Sequence, residues 1–151
     1  MRRLVLLFAV IGLIAGGCGG GDDISIEGQW ARNSPKNAAM GAAYMTFESA
    51  DGDVLKSGSV DPSIAEAVEI HAMMPVEGST DEEGMAMMEM VEIPEFEIPA
   101  GEPAVLQPGG YHIMFINIAK PFEIGQVIEL TLNFENAGEK TIEVEVMEEE
   151  P

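Results

Sequence analysis

The strongest constraint on this chain is the way its apolar residues are punctuated. From Trp30 onward no stretch keeps a helical period over the length a helix needs, whereas short runs alternate with a period of two. Ala43–Phe47, Val54–Val60, Glu66–His71, Tyr111–Ile118, Val127–Phe134 and Thr141–Val146 are expected to be strands. The breaks fall at Asp51-Gly52, Asp61-Pro62, Pro99-Ala100-Gly101, Pro108-Gly109-Gly110 and Asn136-Ala137-Gly138. The last of these makes Val127–Val146 a C-terminal hairpin. Short strands at this spacing imply an all-β, antiparallel sandwich or barrel, and 151 residues suit one such domain.

The N-terminus belongs to a different regime. Arg2 and Arg3 precede an apolar run, Leu4–Ile14, and the small residues Ala15-Gly16-Gly17 lead to Cys18. Residues 1–17 therefore read as a signal peptide, and its end resembles the bacterial lipoprotein processing site, where Cys18 becomes the lipidated first residue. Residues 18–27 are expected to be a flexible tether, 28–147 the folded domain, and 148–151 an acidic tail. The protein is thus expected to be periplasmic or otherwise extracytoplasmic, anchored to a membrane as a lipoprotein. Its 27 acidic residues against 7 basic ones leave no basic footprint for nucleic acid. Cys18 is the only cysteine, which excludes a disulfide framework, a CxxC redox pair and a thiolate zinc site.

Methionine distribution carries the chemical signal. Six of the 11 methionines, Met73, Met74, Met85, Met87, Met88 and Met90, flank the polar, turn-like stretch Pro75–Gly84. Methionine usually fills gaps in a core or softens a docking surface. Here both histidines of the chain adjoin methionine. His71 directly precedes the cluster, and His112 forms His-Ile-Met with Met114, two residues on, which a strand places on the same face. Soft, neutral thioethers with imidazole favour Cu(I), whereas zinc, calcium and magnesium call for other donors. A blue-copper centre would need a Cys thiolate, and the folded region has none.

These residues resemble the periplasmic copper chaperone family PCu(A)C, whose pattern is a His, a downstream Met, a 21-residue gap and His-x-Met. Met90 is followed by the 21 residues Val91–Tyr111 and then His112-Ile113-Met114. The resemblance runs from Trp30-Ala31-Arg32 to about Val146. It takes in Gly41-Ala42-Ala43-Tyr44-Met45-Thr46, Glu69-Ile70-His71, Ile98-Pro99-Ala100-Gly101 and Leu106–Met114. One departure is the 18 residues, Ala72–Glu89, between the first His and the motif Met, which implies a lengthened hairpin around Glu77–Gly84. Met85, Met87 and Met88 stand as alternatives to Met90, and Met73 and Met74 as auxiliary thioethers.

The resemblance implies a cupredoxin-like Greek-key β-sandwich or barrel, with His71, Met90, His112 and Met114 as Cu(I) ligands. It implies a non-enzymatic carrier that delivers copper for assembly of the dinuclear copper centre of cytochrome c oxidase, and nothing in the sequence demands more than a monomer. Its partner would be an oxidase subunit or another copper chaperone. Two other readings stay open: copper sequestration for tolerance, and a metal-independent β-sandwich module whose Met patch docks a protein. An enzyme is not expected, because the chain shows no nucleophile–base pairing and no phosphate-cradling Gly loop.

Overall fold

The computed structural model describes residues 23–80 and 84–149. The expected signal peptide, residues 1–17, and the expected lipidation site, Cys18, lie outside the described residues. Ten strands account for the fold: β1 (Ile24–Arg32), β2 (Met40–Ser49), β3 (Asp53–Ser59), β4 (Ala65–Thr80), β5 (Ala86–Ile93), β6 (Phe96–Ile98), β7 (Ala104–Leu106), β8 (Tyr111–Ile118), β9 (Val127–Phe134) and β10 (Gly138–Met147). No helix occurs among the described residues. The all-β class expected from period-two alternation is the one observed.

The strands follow the order β5-β4-β8-β2-β1-β10-β9-β3-β6, with β7 beside β2. All pairings between them are antiparallel except β1 with β10. The sheet curls until β3 touches β4 at Gly58 and Val68, which closes a flattened barrel. A Cβ on Gly58 would lie 2.6 Å from Val68 Cγ1, so the closure depends on a residue without a side chain there. Inside, Phe47, Leu55, Phe115, Leu130, Leu132 and Val144 are fully buried and anchor one continuous apolar core.

Several boundaries differ from expectation. β1 starts at Ile24, and Ile24 and Ile26 pack against the core, so residues 24–27 belong to the sheet rather than to a tether over 18–27, and the folded domain begins before residue 28. β4 continues through the stretch expected to turn, reaching Thr80. The C-terminal hairpin forms as expected, with Gly138 at φ 70° opposite Phe134.

The β9–β10 turn is held by a buried carboxylate. Asp53 is 4% exposed. Its Oδ1 accepts from the backbone N–H of Val54 (2.7 Å) and Asn136 (3.0 Å) and from the Asn136 side-chain amide (3.3 Å), and its Oδ2 from Ala137 N–H (2.9 Å). Burial pushes its pKa up, but the N–H groups of Asn136, Ala137 and Val54 outweigh that and leave the carboxyl below the usual range. Asp53→Ala leaves those donors without their partner and is expected to cost about 1–3 kcal/mol in urea denaturation. The depressed folded-state pKa means that the charge-dependent part of this stabilisation is complete above the unfolded value, about pH 4, and lost as pH falls through the folded value. The stability gap between the native chain and Asp53→Asn should therefore close under acid, and a gap that persists unchanged would contradict the assignment.

Candidate metal centre

Antiparallel register brings the two histidines together. On the β4–β8 ladder Ile70 is opposite Ile113, and His71 is opposite His112. Both isoleucines are buried in the core (3% and 0% exposed), so alternation sends both imidazoles to the outer face of the same two strands. The ring centroids stand 5.9 Å apart at 47°. Glu69 is opposite Met114 in the same ladder, which puts Met114 on that face beside His112.

Each imidazole has one nitrogen committed and the other free to coordinate. His112 Nδ1 lies 3.1 Å from the Gly110 carbonyl, which can only accept, so Nδ1 carries the proton and Nε2 presents a lone pair. His71 Nε2 lies 2.7 Å from Glu69 Oε2, so it donates to the carboxylate and the neutral ring keeps its lone pair on Nδ1. That Nδ1 is buried and has no hydrogen-bond partner among the described residues. An unsatisfied buried acceptor is costly, and a soft cation would satisfy it. Hydrogen bonds from the second ring nitrogen to a carboxylate and a carbonyl are the usual supports of metal-binding histidines. Burial lowers the His112 pKa, the hydrogen bond to Gly110 opposes that, and the neighbouring His71 lowers it further; the net direction is downward, toward the neutral ring that a metal requires.

The outer face around His112 is dry. Tyr44 packs against its ring at 6.3 Å, Trp30 against Tyr44 at 4.8 Å, and the Arg32 guanidinium lies 5.9 Å from the Trp30 ring centre. Trp30, Tyr44, His112 and Met114 are all at most 7% exposed although they stand outside the apolar core cluster. Burial raises the Tyr44 pKa against the lowering effect of Arg32, so the phenol stays protonated.

The methionines sort by register. Met73 is opposite Met90 on the β4–β5 ladder, and His71 is opposite Glu92, so Met90 is the diagonal neighbour of His71 on the shared outer face. Met88, opposite Pro75, lies two residues farther along the same face. Met74, opposite Glu89, points the other way, as does Met87, whose Sδ accepts from Ser79 Oγ at 3.1 Å. Met85 lies just ahead of β5. The structure thus gathers His71, His112, Met114, Met73 and Met90 on one face and separates Met74 and Met87 from them. Among the described residues no three of His, Cys, Asp and Glu cluster tightly enough to hold a metal, so a harder donor set is not assembled there. Sequence reasoning assigned no role to Glu69 or to the Gly110 carbonyl. The signal for Glu69 was its i−2 position on the alternating run that carries His71.

The family described as "Putative lipoprotein LpqE-like" matches residues 24–146. A curated relative, "Putative lipoprotein Lxx21020" of Leifsonia xyli subsp. xyli, is 29% identical over 133 residues, which cover 83% of this chain and 70% of that protein. Among solved structures, the copper-bound PCuAC domain from PmoF2 superimposes with a TM-score of 0.62 at 25% identity, covering 85% of this chain and 93% of that one. The Cu(I) form of DR1885 from Deinococcus radiodurans superimposes with a TM-score of 0.56 at 22% identity, covering 89% and 85%. The likeness supports the cupredoxin-like β-sandwich that the family resemblance implied.

In neutral rings the hydrogen bonds require opposite tautomers, Nδ1–H in His112 and Nε2–H in His71. Long-range ¹H–¹⁵N correlation spectra of the metal-free protein, followed over pH until both rings are neutral, are expected to show one of each. Two rings with the same tautomer would remove the paired free nitrogens.

Proposed function

The chain belongs to the LpqE-like lipoprotein family, and from that membership and the paired imidazoles we propose that it is an extracytoplasmic Cu(I) carrier without a catalytic step of its own. Lipidation at Cys18 tethers it to a membrane, and His71, His112, Met114 and Met90 hold the ion. One observation carries the reading: two imidazoles face each other across β4 and β8, each supported through one nitrogen by Glu69 or Gly110. Each leaves the other nitrogen to coordinate. Met114 supplies a buried thioether beside them and Met90 an exposed one. The fold shared with a copper-bound PCuAC domain supports the choice of metal.

Those donors suit delivery rather than storage. Thioethers and imidazoles are neutral, so loading releases no proton from sulfur and leaves a centre of unit positive charge, which Glu69 and Glu92 on the same face moderate. A thiolate-rich acceptor binds Cu(I) more tightly, so transfer to it runs downhill. The half-exposed Met90 gives the acceptor a place to attack before His112 and Met114 release the ion. The recipient that fits is the dinuclear copper centre of cytochrome c oxidase during assembly, or a second chaperone on the way to it. A lipid tether would raise the effective concentration of the carrier near such a membrane-bound recipient.

Anaerobic competition titration is expected to give one tightly bound Cu(I) per chain, with nitrogen and sulfur neighbours in X-ray absorption. His112→Ala with Met114→Ala should abolish tight binding while the strand content seen by circular dichroism persists; unchanged affinity would sink the assigned site. Glu69→Gln, which weakens the support of His71, is expected to lower affinity by roughly 10–100-fold. Several tightly bound ions with no transfer to an apo oxidase fragment would favour sequestration instead.

A further inference from the structure

The β4–β5 hairpin carries thioethers that the histidine site does not use up. Met73 and Met90 are direct cross-strand partners, and Met88 stands two residues before Met90, opposite Pro75, so all three leave the same face. Cβ atoms of direct antiparallel partners are about 4.5–5.5 Å apart, and diagonal partners at about 7–8 Å are still within reach of a long side chain. Three sulfurs can therefore converge on one point above the hairpin. A packing role does not explain them. None of the three belongs to the apolar core or packs against it, and Met88 and Met90 are 49% and 47% exposed. The remaining outward side chain of this ladder is Glu92, beside His71 at the inner end.

We propose that Met73, Met88 and Met90 form a thioether-only Cu(I) site at the outer end of the centre, sharing Met90 with the histidine site. The ion enters through sulfur and passes inward by ligand exchange. The bonds from copper to the sulfurs of Met73 and Met88 break, bonds to His71 Nδ1, His112 Nε2 and the Met114 sulfur form, and the bond to Met90 persists. Copper stays monovalent throughout, the thioethers have no proton to lose, and each imidazole binds through the nitrogen that its hydrogen bond leaves free. Sharing Met90 makes the two sites alternatives for one ion rather than independent stores. This inference rests on the Cu(I) role proposed above and adds the route by which the site fills and empties.

The test is the full chain carrying His71→Ala and His112→Ala, titrated with Cu(I) alone under reducing conditions. It is expected to hold one ion with sulfur as the only neighbour in X-ray absorption, and further substitution of Met73→Ala and Met88→Ala should abolish that binding. A native chain that takes up no Cu(I) would overturn the carrier role itself. Native uptake with no binding to the histidine-free variant, or with nitrogen and oxygen neighbours in it, would overturn the hairpin site alone. Should the histidine-free variant fail to fold, Met73→Ala with Met88→Ala in the otherwise native chain decides. Uptake from a Cu(I)–thiosulfate donor is then expected to slow while final occupancy is unchanged, and an unchanged rate would overturn the route.

Discussion

The centre depends on a contact that no metal would touch. Ile70 and Ile113 face each other inside the barrel, and burying both is what sets β4 against β8. Since strand side chains alternate, a slip of one residue would bring His71 into the apolar interior and expose Ile70. The core rejects that arrangement on both counts, by an exposed isoleucine and by a buried imidazole without partners. The hydrophobic effect therefore sets the position of the imidazoles from the opposite side of the sheet. Their hydrogen bonds to Glu69 and Gly110 then fix how each ring is turned.

On the outer side, the neighbourhood of His112 is made dry by a row that crosses strands rather than following one. Trp30 on β1, Tyr44 on β2 and His112 on β8 lie side by side, although they come from distant parts of the chain. The parallel pairing of β1 with β10, Trp30 opposite Glu145, locks the far end of that row into the barrel. A dry surround penalises the protonated ring far more than the neutral one, which is the condition a metal-binding imidazole needs.

Much of the fold was legible from apolar runs bounded by turn residues, and Tyr111–Ile118 and Val127–Phe134 agree with β8 and β9 at both ends. Only β9 owes this to burial on one side; β8 is covered on both faces from His112 to Phe115. β1 escaped because Gly28, at φ 60°, sits in a register shift between Glu27 and Trp30 that breaks its period. The length of β4 escaped for another reason. Pro75 and the polar residues after it look like a turn, but β8 pairing stops at Ala72, so from Met74 onward β4 has β5 as its one strand partner and proline is tolerated there. β5 is an outermost strand exposed along most of its length, so burial leaves no alternation for a reader to find. The spacing of His112 and Met114 made their shared face readable, whereas the roof of Trp30 and Tyr44 required the order of the strands.

The halt of β8 pairing at Ala72 also governs how this architecture can vary. Beyond that residue Met73 N–H still reaches the Gly110 carbonyl at 3.3 Å, and the remaining described residues of β4 and β5 pair with each other and with no other strand, a hairpin held like a cantilever. Residues added in equal number to its two arms leave every pair nearer the root in place, so the spacing between His71 and Met90 along the chain can drift while their separation in space does not. An odd insertion can be absorbed by a change in turn length or by a bulge, like the shift already present between Pro75 and Thr80. Linear distance between His71 and Met90 is thus a poor guide to kinship in such chains, and the pairing at the root is the better one.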